Sequence, residues 1–349
     1  MTYQSTCLMA AGQIELADAQ MPSTIEPGFV RLKMATASLC GTDLHYYRHF
    51  ANAGFELDNP VTLGHEACAH VVDANGSALL PDTLVALNPI INCGLCEQCL
   101  IGQINLCTAK RFPGSATTKP HMDGFFREYF DFPATCCRPV AADVNPDHLT
   151  FAEPLACAMH SVNVGQIKEG SEVLVTGCGP MGLLAIVAAA AKGARVTATD
   201  IRAETVDLAK QVGASEGFIS GTTEAAERTA TFDTVIEASG SAHAFNLALN
   251  LVKRQGIVSI LSNIQLSDTR IELHRIMLKE VRVLGSFQFN REFEEAVRLI
   301  ESGTLPLDPL IAAQFPLSQT AEALELMLSG GAAGKILIKS LAANAPCAA

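Results

Sequence analysis

Residues 172–200 read EVLVTGCGPMGLLAIVAAAAKGARVTATD. A short apolar, β-branched run (EVLVT) leads straight into glycines. An apolar stretch with helical character follows, and a second strand-like run, ARVTATD, closes the segment. Strand, helix and strand in this order make the unit from which parallel sheets are built. Gly177, Gly179 and Gly182 stand in G-x-G-x-x-G spacing. Placed between a strand and a helix, the first glycine allows the tight turn and the second lets a pyrophosphate approach the backbone. The third packs helix on strand. Pro180, with Met181 after it, suits the first helical turn, whose free N–H groups and dipole favour phosphate. Asp200 ends the second strand, close to the ~20-residue spacing expected of a carboxylate on the adenosine ribose. A 2′-phosphate would meet that negative charge, so NAD is favoured over NADP. Arg202, two residues on, softens the preference and leaves NADP open.

Outward from this segment, DTVIEAS (233–239), GIVSILS (256–262) and VRVLGS (281–286) read as further buried strands with helical patterns between them. The alternation predicts a doubly wound parallel sheet covered on both faces. The first ~145 residues are different: short β-like runs such as FVRLKMATA (29–37), ACAHVVDA (67–74) and TLVALNPI (83–90), broken by Gly, Pro and Asn. The last segment carries a helix over 292–301, another around 319–328, the strand-like KILIKS and a loose tail, LAANAPCAA.

A chain of 349 residues with 49% hydrophobic and 17% charged residues has room for about two domains with real cores. Its net charge of −12 argues against nucleic acid and anionic membrane surfaces as partners. The N-terminus shows no basic region followed by an apolar run. The longest apolar stretch, residues 182–191, is too short to span a bilayer. A cytoplasmic protein with reduced cysteines is expected.

Residues 93–107, CGLCEQCLIGQINLC, hold Cys93, Cys96, Cys99 and Cys107. A disulfide framework sits badly with a reducing compartment. A ferredoxin run needs a three-residue gap and a following proline, whereas Thr108 follows Cys107. Three cysteines two residues apart, then one after seven, can wrap tetrahedrally around zinc, and four thiolates leave no open position. This site is expected to be structural. Cys40 aside, the other seven cysteines, Cys136, Cys137 and Cys347 among them, show no ligand spacing. Chemistry must come from elsewhere. LCGTDLHYY (39–47) offers Cys40, Thr42, Asp43 and His45; GHE places His65 beside Glu66; FAEPLA carries Glu153. A Cys, a His and a carboxylate form the mixed set that leaves zinc an open fourth position. Taken singly, each reads first as an ordinary core or satisfied residue.

Taken in order, Cys40-Gly41-Thr42-Asp43-Leu44-His45-Tyr46-Tyr47, Gly64-His65-Glu66, the cysteine lobe, Gly114-Ser115, His121-Met122-Asp123-Gly124, Glu153-Pro154-Leu155-Ala156 and the glycine motif resemble one family. So do Leu305-Pro306-Leu307-Asp308-Pro309-Leu310-Ile311 and Phe315-Pro316-Leu317. The family is the zinc-dependent medium-chain dehydrogenases, in the polyol (sorbitol) and L-idonate 5-dehydrogenase branch, and the resemblance covers nearly the whole chain. It implies a GroES-like catalytic domain over 1–147 with a zinc lobe at about 88–110, a Rossmann domain over 148–286, and a return to the catalytic domain over 287–349. Two zinc ions per chain, NAD and a homodimer or homotetramer come with it. The catalytic zinc would be held by Cys40, His65 and Glu66 or Glu153. Asp43 would orient His65, and Thr42 and His45 would relay the proton.

The activity implied is reversible oxidation of L-idonate to 5-keto-D-gluconate. The alternative is oxidation of a neutral polyol such as sorbitol, xylitol or galactitol. A catalytically inactive nucleotide-binding sensor would predict damage to the zinc set or relay, and none is seen. Residues 121–129 and the Tyr46–Tyr47 hydroxyls are expected to face the substrate. Gln288 stands where the branch has arginine, which leaves Lys119, Arg127 and Arg291 as candidate cations for a substrate carboxylate.

Overall fold

The computed structural model describes residues 2–222, 230–264 and 270–340; Cys347 and the tail LAANAPCAA lie outside them. Along the chain come strands β1 (Thr2–Ala10), β2 (Gln13–Gln20) and β3 (Phe29–Ser38), then helix α1 (Gly41–His49). Short strands β4 (Ala51–Asn52) and β5 (Phe55–Glu56) precede β6 (Glu66–Asp73) and β7 (Leu84–Leu87). Next are the helical turn α2 (Glu97–Leu100), β8 (Tyr129–Pro133), β9 (Cys137–Pro139), α3 (Pro146–Leu149) and α4 (Ala152–Val164). The middle holds β10 (Glu172–Thr176), α5 (Pro180–Ala191), β11 (Arg195–Asp200), α6 (Ala203–Gln211) and β12 (Glu216–Ile219). It continues with β13 (Phe232–Glu237), α7 (Ala242–Leu251), β14 (Val252–Ile260), α8 (His274–Lys279), β15 (Arg282–Gly285) and α9 (Glu292–Glu301). Strand β16 (Ile311–Pro316), helix α10 (Thr320–Leu328) and β17 (Lys335–Lys339) end the described chain.

These elements form two compact units: residues up to Glu153 together with those from Ile311 on, and Pro154–Leu310. The boundaries expected from sequence, 147/148 and 286/287, both fall earlier. Residues 287–310 stay with the second unit for a visible reason. Glu292, at the head of α9, is bonded to His160 Nδ1 at 3.0 Å and accepts from Asn163 Nδ2 at 2.9 Å, both on α4. Phe293, Val297 and Ile300 on the same helix are buried.

The second unit is one parallel six-stranded sheet in the order β12-β11-β10-β13-β14-β15. Helices cover both faces, so the strand interiors (Val173, Leu174, Val175, Val235, Ile236, Val258) are fully buried. The same burial accounts for α5, whose residues 182–189 are all buried: an apolar helix inside a domain rather than in a membrane. No described helix is long and apolar enough to cross a membrane. The strand order reverses direction beside β10, and ligands of such sheets bind where that happens, at the carboxyl ends of the strands.

The first unit holds a seven-stranded, mostly antiparallel sheet, β16-β17-β3-β6-β7-β9, with β8 also paired to β3. Its register sets up the site. Ser38, at the end of β3, lies opposite Glu66 of β6 on one side and Leu337 of β17 on the other. Lys335, two residues before Leu337, therefore shares its face of the sheet. Beneath lies an aromatic core in which Phe125, Phe130 and Phe132 stack edge-on or tilted at 5.1–6.5 Å.

Candidate active site

Cys40 caps the N-terminus of α1 in extended conformation, and its backbone N–H donates to Asp43 Oδ2 at 2.9 Å. Asp43 Oδ1 accepts from the Gly64 N–H at 3.1 Å. One fully buried carboxylate thus ties the Cys40 turn to the segment carrying His65 and Glu66. Burial raises the Asp43 pKa, opposed by His65 and these two amides. Asp43 Oδ1 lies 3.9 Å from His65 Nδ1, so it acts on the ring as a charge and not through a hydrogen bond. Cys40, His65 and Glu66 each present a ligand atom within 4.8 Å of the others. Burial would lower the His65 pKa, but Cys40, Asp43 and Glu153 outweigh it and push the ring up to about 10. The negative groups around the ring equally favour a divalent cation. With Nδ1 buried and lacking a hydrogen-bond partner, the donor set fits zinc. Glu153, 5% exposed, is near enough for its charge to act on His65. Phe112 walls the site, its ring centroid 5.3 Å from that of His65.

Three glycines hold His65 in place. A Cβ on Gly124 would lie 2.3 Å from the carbonyl oxygens of Leu63 and Gly64, and one on Gly114 2.8 Å from the latter. Gly64 itself has φ +93°, and a Cβ there would meet the Phe126 ring at 2.6 Å. The motifs GHE, GS and HMDG therefore mark one backbone joint directly beside the Cys40–His65–Glu66 cluster.

Thr42 and His45, half-buried, lie one turn apart on a single face of α1. Burial, then His49 and Arg48, lower the His45 pKa. The tyrosine expectation is corrected. Tyr46 is fully buried, its hydroxyl bonded to Ser115 Oγ (3.2 Å) and accepting from the Ala116 N–H (2.9 Å). Tyr47 donates to Glu325 Oε1 at 2.6 Å, and that bond pushes its pKa to about 12. Both hydroxyls serve the fold. Among the candidate cations, Lys119 pairs with Asp58 at 2.5 Å. Arg127 donates to the Asp123 carbonyl at 3.2 Å and lies over the Phe130 ring. Arg291 caps α9, exposed. Gln288 adopts φ +52°.

The sequence motifs did not point to Lys335. This lysine, 3% exposed, places Nζ 2.5 and 2.6 Å from the two Glu66 oxygens, and Ser38 donates to the same carboxylate. A lone lysine in the apolar run KILI was the only signal.

In the cysteine lobe all four sulfurs lie within 4.8 Å of one another, with Cys93 at 3.5 Å from Cys107 and 3.9 Å from Cys99. Thiolates about 2.3 Å from a shared zinc stand roughly 3.8 Å apart, so the lobe fits the metal. The backbone helps. Cys96 caps α2, and the N–H groups of Cys99 and Thr108 pull its pKa down to about 6.

In the second unit the glycine loop behaves as its spacing requires. A Cβ on Gly182 would sit 1.8 Å from the Gly177 carbonyl, and one on Gly177 2.6 Å from Ser239 Cα. At Gly179, the cap of α5, a Cβ would meet nothing within 4 Å. Two glycines are fixed by packing; the third faces open space at a helix N-terminus, where Pro180 takes the first turn and Met181 follows. Asp200 Oδ2 accepts from the Cys178 N–H at 2.7 Å and Oδ1 from the Arg202 N–H at 3.0 Å. The carboxylate is thus pinned to the loop, and Arg202 Nε stays 3.9 Å from both Asp200 and Glu204. This cradle fits a dinucleotide.

Comparison with known proteins agrees. Residues 26–142 match the alcohol dehydrogenase GroES-like domain and residues 180–302 the zinc-binding dehydrogenase family. The L-idonate 5-dehydrogenase (NAD(P)(+)) of Escherichia coli K12 is 31% identical over 300 residues, 84% of this chain and 86% of that protein. The sorbitol dehydrogenase of Bombyx mori is 31% identical over 350 residues, 95% and 97% of the two chains. The crystal structure of the E. coli L-idonate 5-dehydrogenase superposes with TM-score 0.92 at 27% identity, covering 97% and 98%. A GroES-like unit with two zinc-competent clusters, and a Rossmann unit with a dinucleotide cradle, make this chain a member of the zinc-dependent, NAD(P)-linked alcohol dehydrogenase family.

Proposed function

We propose that the protein oxidises a secondary hydroxyl of a polyhydroxy substrate with NAD, the substrate being the sugar acid L-idonate and the product 5-keto-D-gluconate. The observation that carries this reading is the meeting of Cys40, His65 and Glu66 in one cluster, in a chain that matches an L-idonate dehydrogenase along 84% of its length. Bound zinc would supply Lewis-acid activation of the substrate hydroxyl, and bound NAD the hydride acceptor.

The protein's own residues do the rest. Cys40 and His65, with Glu66 or Glu153, hold the metal. Asp43 fixes their spacing through the Cys40 and Gly64 amides. Thr42 takes the substrate proton and passes it to His45, whose lowered pKa keeps the ring neutral and able to accept it. Gly177, Gly179, Pro180, Met181 and Gly182 present the amides of α5 to the pyrophosphate, and Asp200 binds the adenosine ribose, with Arg202 beside it. The cysteine lobe holds a structural zinc. The same reading places the enzyme in the cytoplasm as a homodimer or homotetramer.

A neutral polyol is the second reading. It is favoured by Gln288, and Lys119 and Arg127 lie against Asp58 and Asp123. Incubating the enzyme with NAD and L-idonate, D-gluconate, sorbitol, xylitol or galactitol, while following NADH, separates the two. Preference for L-idonate supports the first reading, and preference for an alditol replaces it with the second. Two bound zinc ions with no turnover on any of them would refute both substrates.

A further inference from the structure

A cleft of about 400 Å³ opens toward the amino ends of β10, β13, β14 and β15, wholly within the second unit. The glycine loop and Asp200 stand at the other end of the sheet, at the carboxyl ends of β10 and β11. The five residues of β10 separate the two places by roughly 16 Å. The nucleotide cradle and this cleft are therefore distinct.

Four cations line the cleft, Lys168, Lys253, Arg254 and Arg282, against two acids, Asp233 and Glu169, in a chain of net charge −12. Asp233 is already engaged. Its Oδ1 accepts from Lys253 Nζ at 2.6 Å and its Oδ2 from the Glu172 N–H at 2.9 Å. Among the described residues Glu169 forms no ion pair, and Lys168, Arg254 and Arg282, all exposed, have no carboxylate partner. Burial would raise the Asp233 pKa, but Lys253, the Glu172 amide and the charge of Lys168 lower it. Burial, then Arg275 and Arg254, lower that of Lys279 nearby.

The two arginines are nevertheless held in place. Arg254 Nη1 donates to the Leu278 carbonyl at 2.9 Å, and Arg282 Nη1 donates to Gln166 Oε1 at 3.3 Å. Both acceptors are neutral, so each fixes a guanidinium without cancelling its charge and leaves it further N–H groups to donate. Gln166 itself has φ +55°, and Gln255, also lining the cleft, has φ +60°. Glycine adopts this left-handed backbone more cheaply, so both side chains stand there at a cost. Gln166 uses its amide to place Arg282. Gln255 donates Nε2 at 3.0 Å to Glu280, a carboxylate that does not line the cleft.

Pinned guanidinium groups with no acid to neutralise them suit a phosphate, whose oxygens match the planar fork in pairs. The concave volume is that of a small-molecule site, and the net charge of the chain disfavours nucleic acid. We propose that this cleft binds a small phosphate-bearing anion, held by Arg254 and Arg282 with Lys168 beside them, separately from the nucleotide cradle.

The test uses full-length, zinc-loaded enzyme saturated with NADH, so that the phosphate position of the cradle is filled. Inorganic phosphate and glucose 6-phosphate are titrated by calorimetry at constant ionic strength. One saturable site per chain is expected for at least one of them. Its affinity should fall at least tenfold in the double variant R254Q/R282Q, whose exposed side chains can change without disturbing a core. It should be unchanged in Arg298→Gln, which removes a cation from α9 outside the cleft. Gln166→Gly relieves the left-handed residue and releases Arg282, so Tm should hold or rise while anion affinity falls severalfold. Binding of neither anion, affinity unchanged in R254Q/R282Q or in Q166G, or equal weakening in R298Q overturns the proposal.

Discussion

Replacing Gly124 with alanine puts a methyl group 2.3 Å from the carbonyl oxygens of both Leu63 and Gly64, where ordinary contact begins at 3.4 Å. The two backbone segments must part by roughly 1 Å to admit it, because close-packed backbone has no slack to absorb the overlap. Neither side can swing freely. The Gly124 N–H donates to the Thr62 carbonyl at 2.7 Å, and the Phe125 N–H donates to that of Gly64 at 2.9 Å. The displacement therefore reaches His65, the next residue. Overpacking of this kind costs about 1–3 kcal/mol. A catalytic group misplaced by about 1 Å costs on the order of 10²-fold in rate. The G124A variant should lose about 100-fold in kcat/KM on the best substrate and several degrees in Tm, measured together with zinc content. Gly285→Ala is the control, since a Cβ there meets nothing within 4 Å and φ is not positive. If G124A keeps kcat/KM within about threefold of wild type while its Tm falls, the joint stabilises the domain without positioning the metal ligands. That result would refute the reasoning.

Three further outcomes follow from the geometry. Gly179→Ala adds a methyl to open space, so stability should change by no more than about 0.5 kcal/mol. Its NADH affinity, read by nucleotide fluorescence, should fall at least tenfold, about 1.4 kcal/mol; unchanged affinity would put the pyrophosphate elsewhere. Cys96→Ser should reduce zinc from two per chain to one by atomic emission and lower Tm, and two retained ions would count against the structural site. Glu292 is subject to burial, which raises its pKa, but His160, Asn163 and the Asn290 amide outweigh it and hold the carboxyl at about 2 against 4.5. A depressed folded-state pKa contributes stability that is present above pH 4.5 and lost as pH falls toward 2. Glu292→Gln should therefore be less stable than wild type at neutral pH, with the two unfolding curves converging in acid. A difference constant from pH 7 to pH 2 would exclude this linkage.

The parts of the molecule legible in the sequence are those whose partners lie close along the chain. The glycine loop encodes its own turn: Gly177 and Gly182 stand five residues apart and touch, and Asp200 reaches the loop from the end of the next strand. The cysteine lobe folds its four sulfurs together within one short segment. Helix α9 carries its amphipathic period on its surface and begins and ends where that period predicts, at Glu292 and Glu301. Strand β12 escaped because only one of its four residues is buried, so no apolar run announces it.

What the sequence hid was the use to which each polar group is put. Tyr46 and Tyr47 look like substrate hydroxyls until Ser115 and Glu325 arrive from 69 and 278 residues away and claim them. Lys335 and Glu66 are 269 residues apart, and each looks ordinary until sheet register makes them neighbours. Motif matching finds the four cysteines of the lobe because their spacing is local. It cannot find a buried ion pair such as Lys335–Glu66, because that pairing is set by topology. The same limit bears on the substrate. The metal cluster and the glycine loop do not separate a sugar acid from a neutral polyol, so the distinction rests on which side chains the fold leaves to face the substrate. The Tyr46 and Tyr47 hydroxyls are already bonded within the first unit, so that distinction falls to other groups.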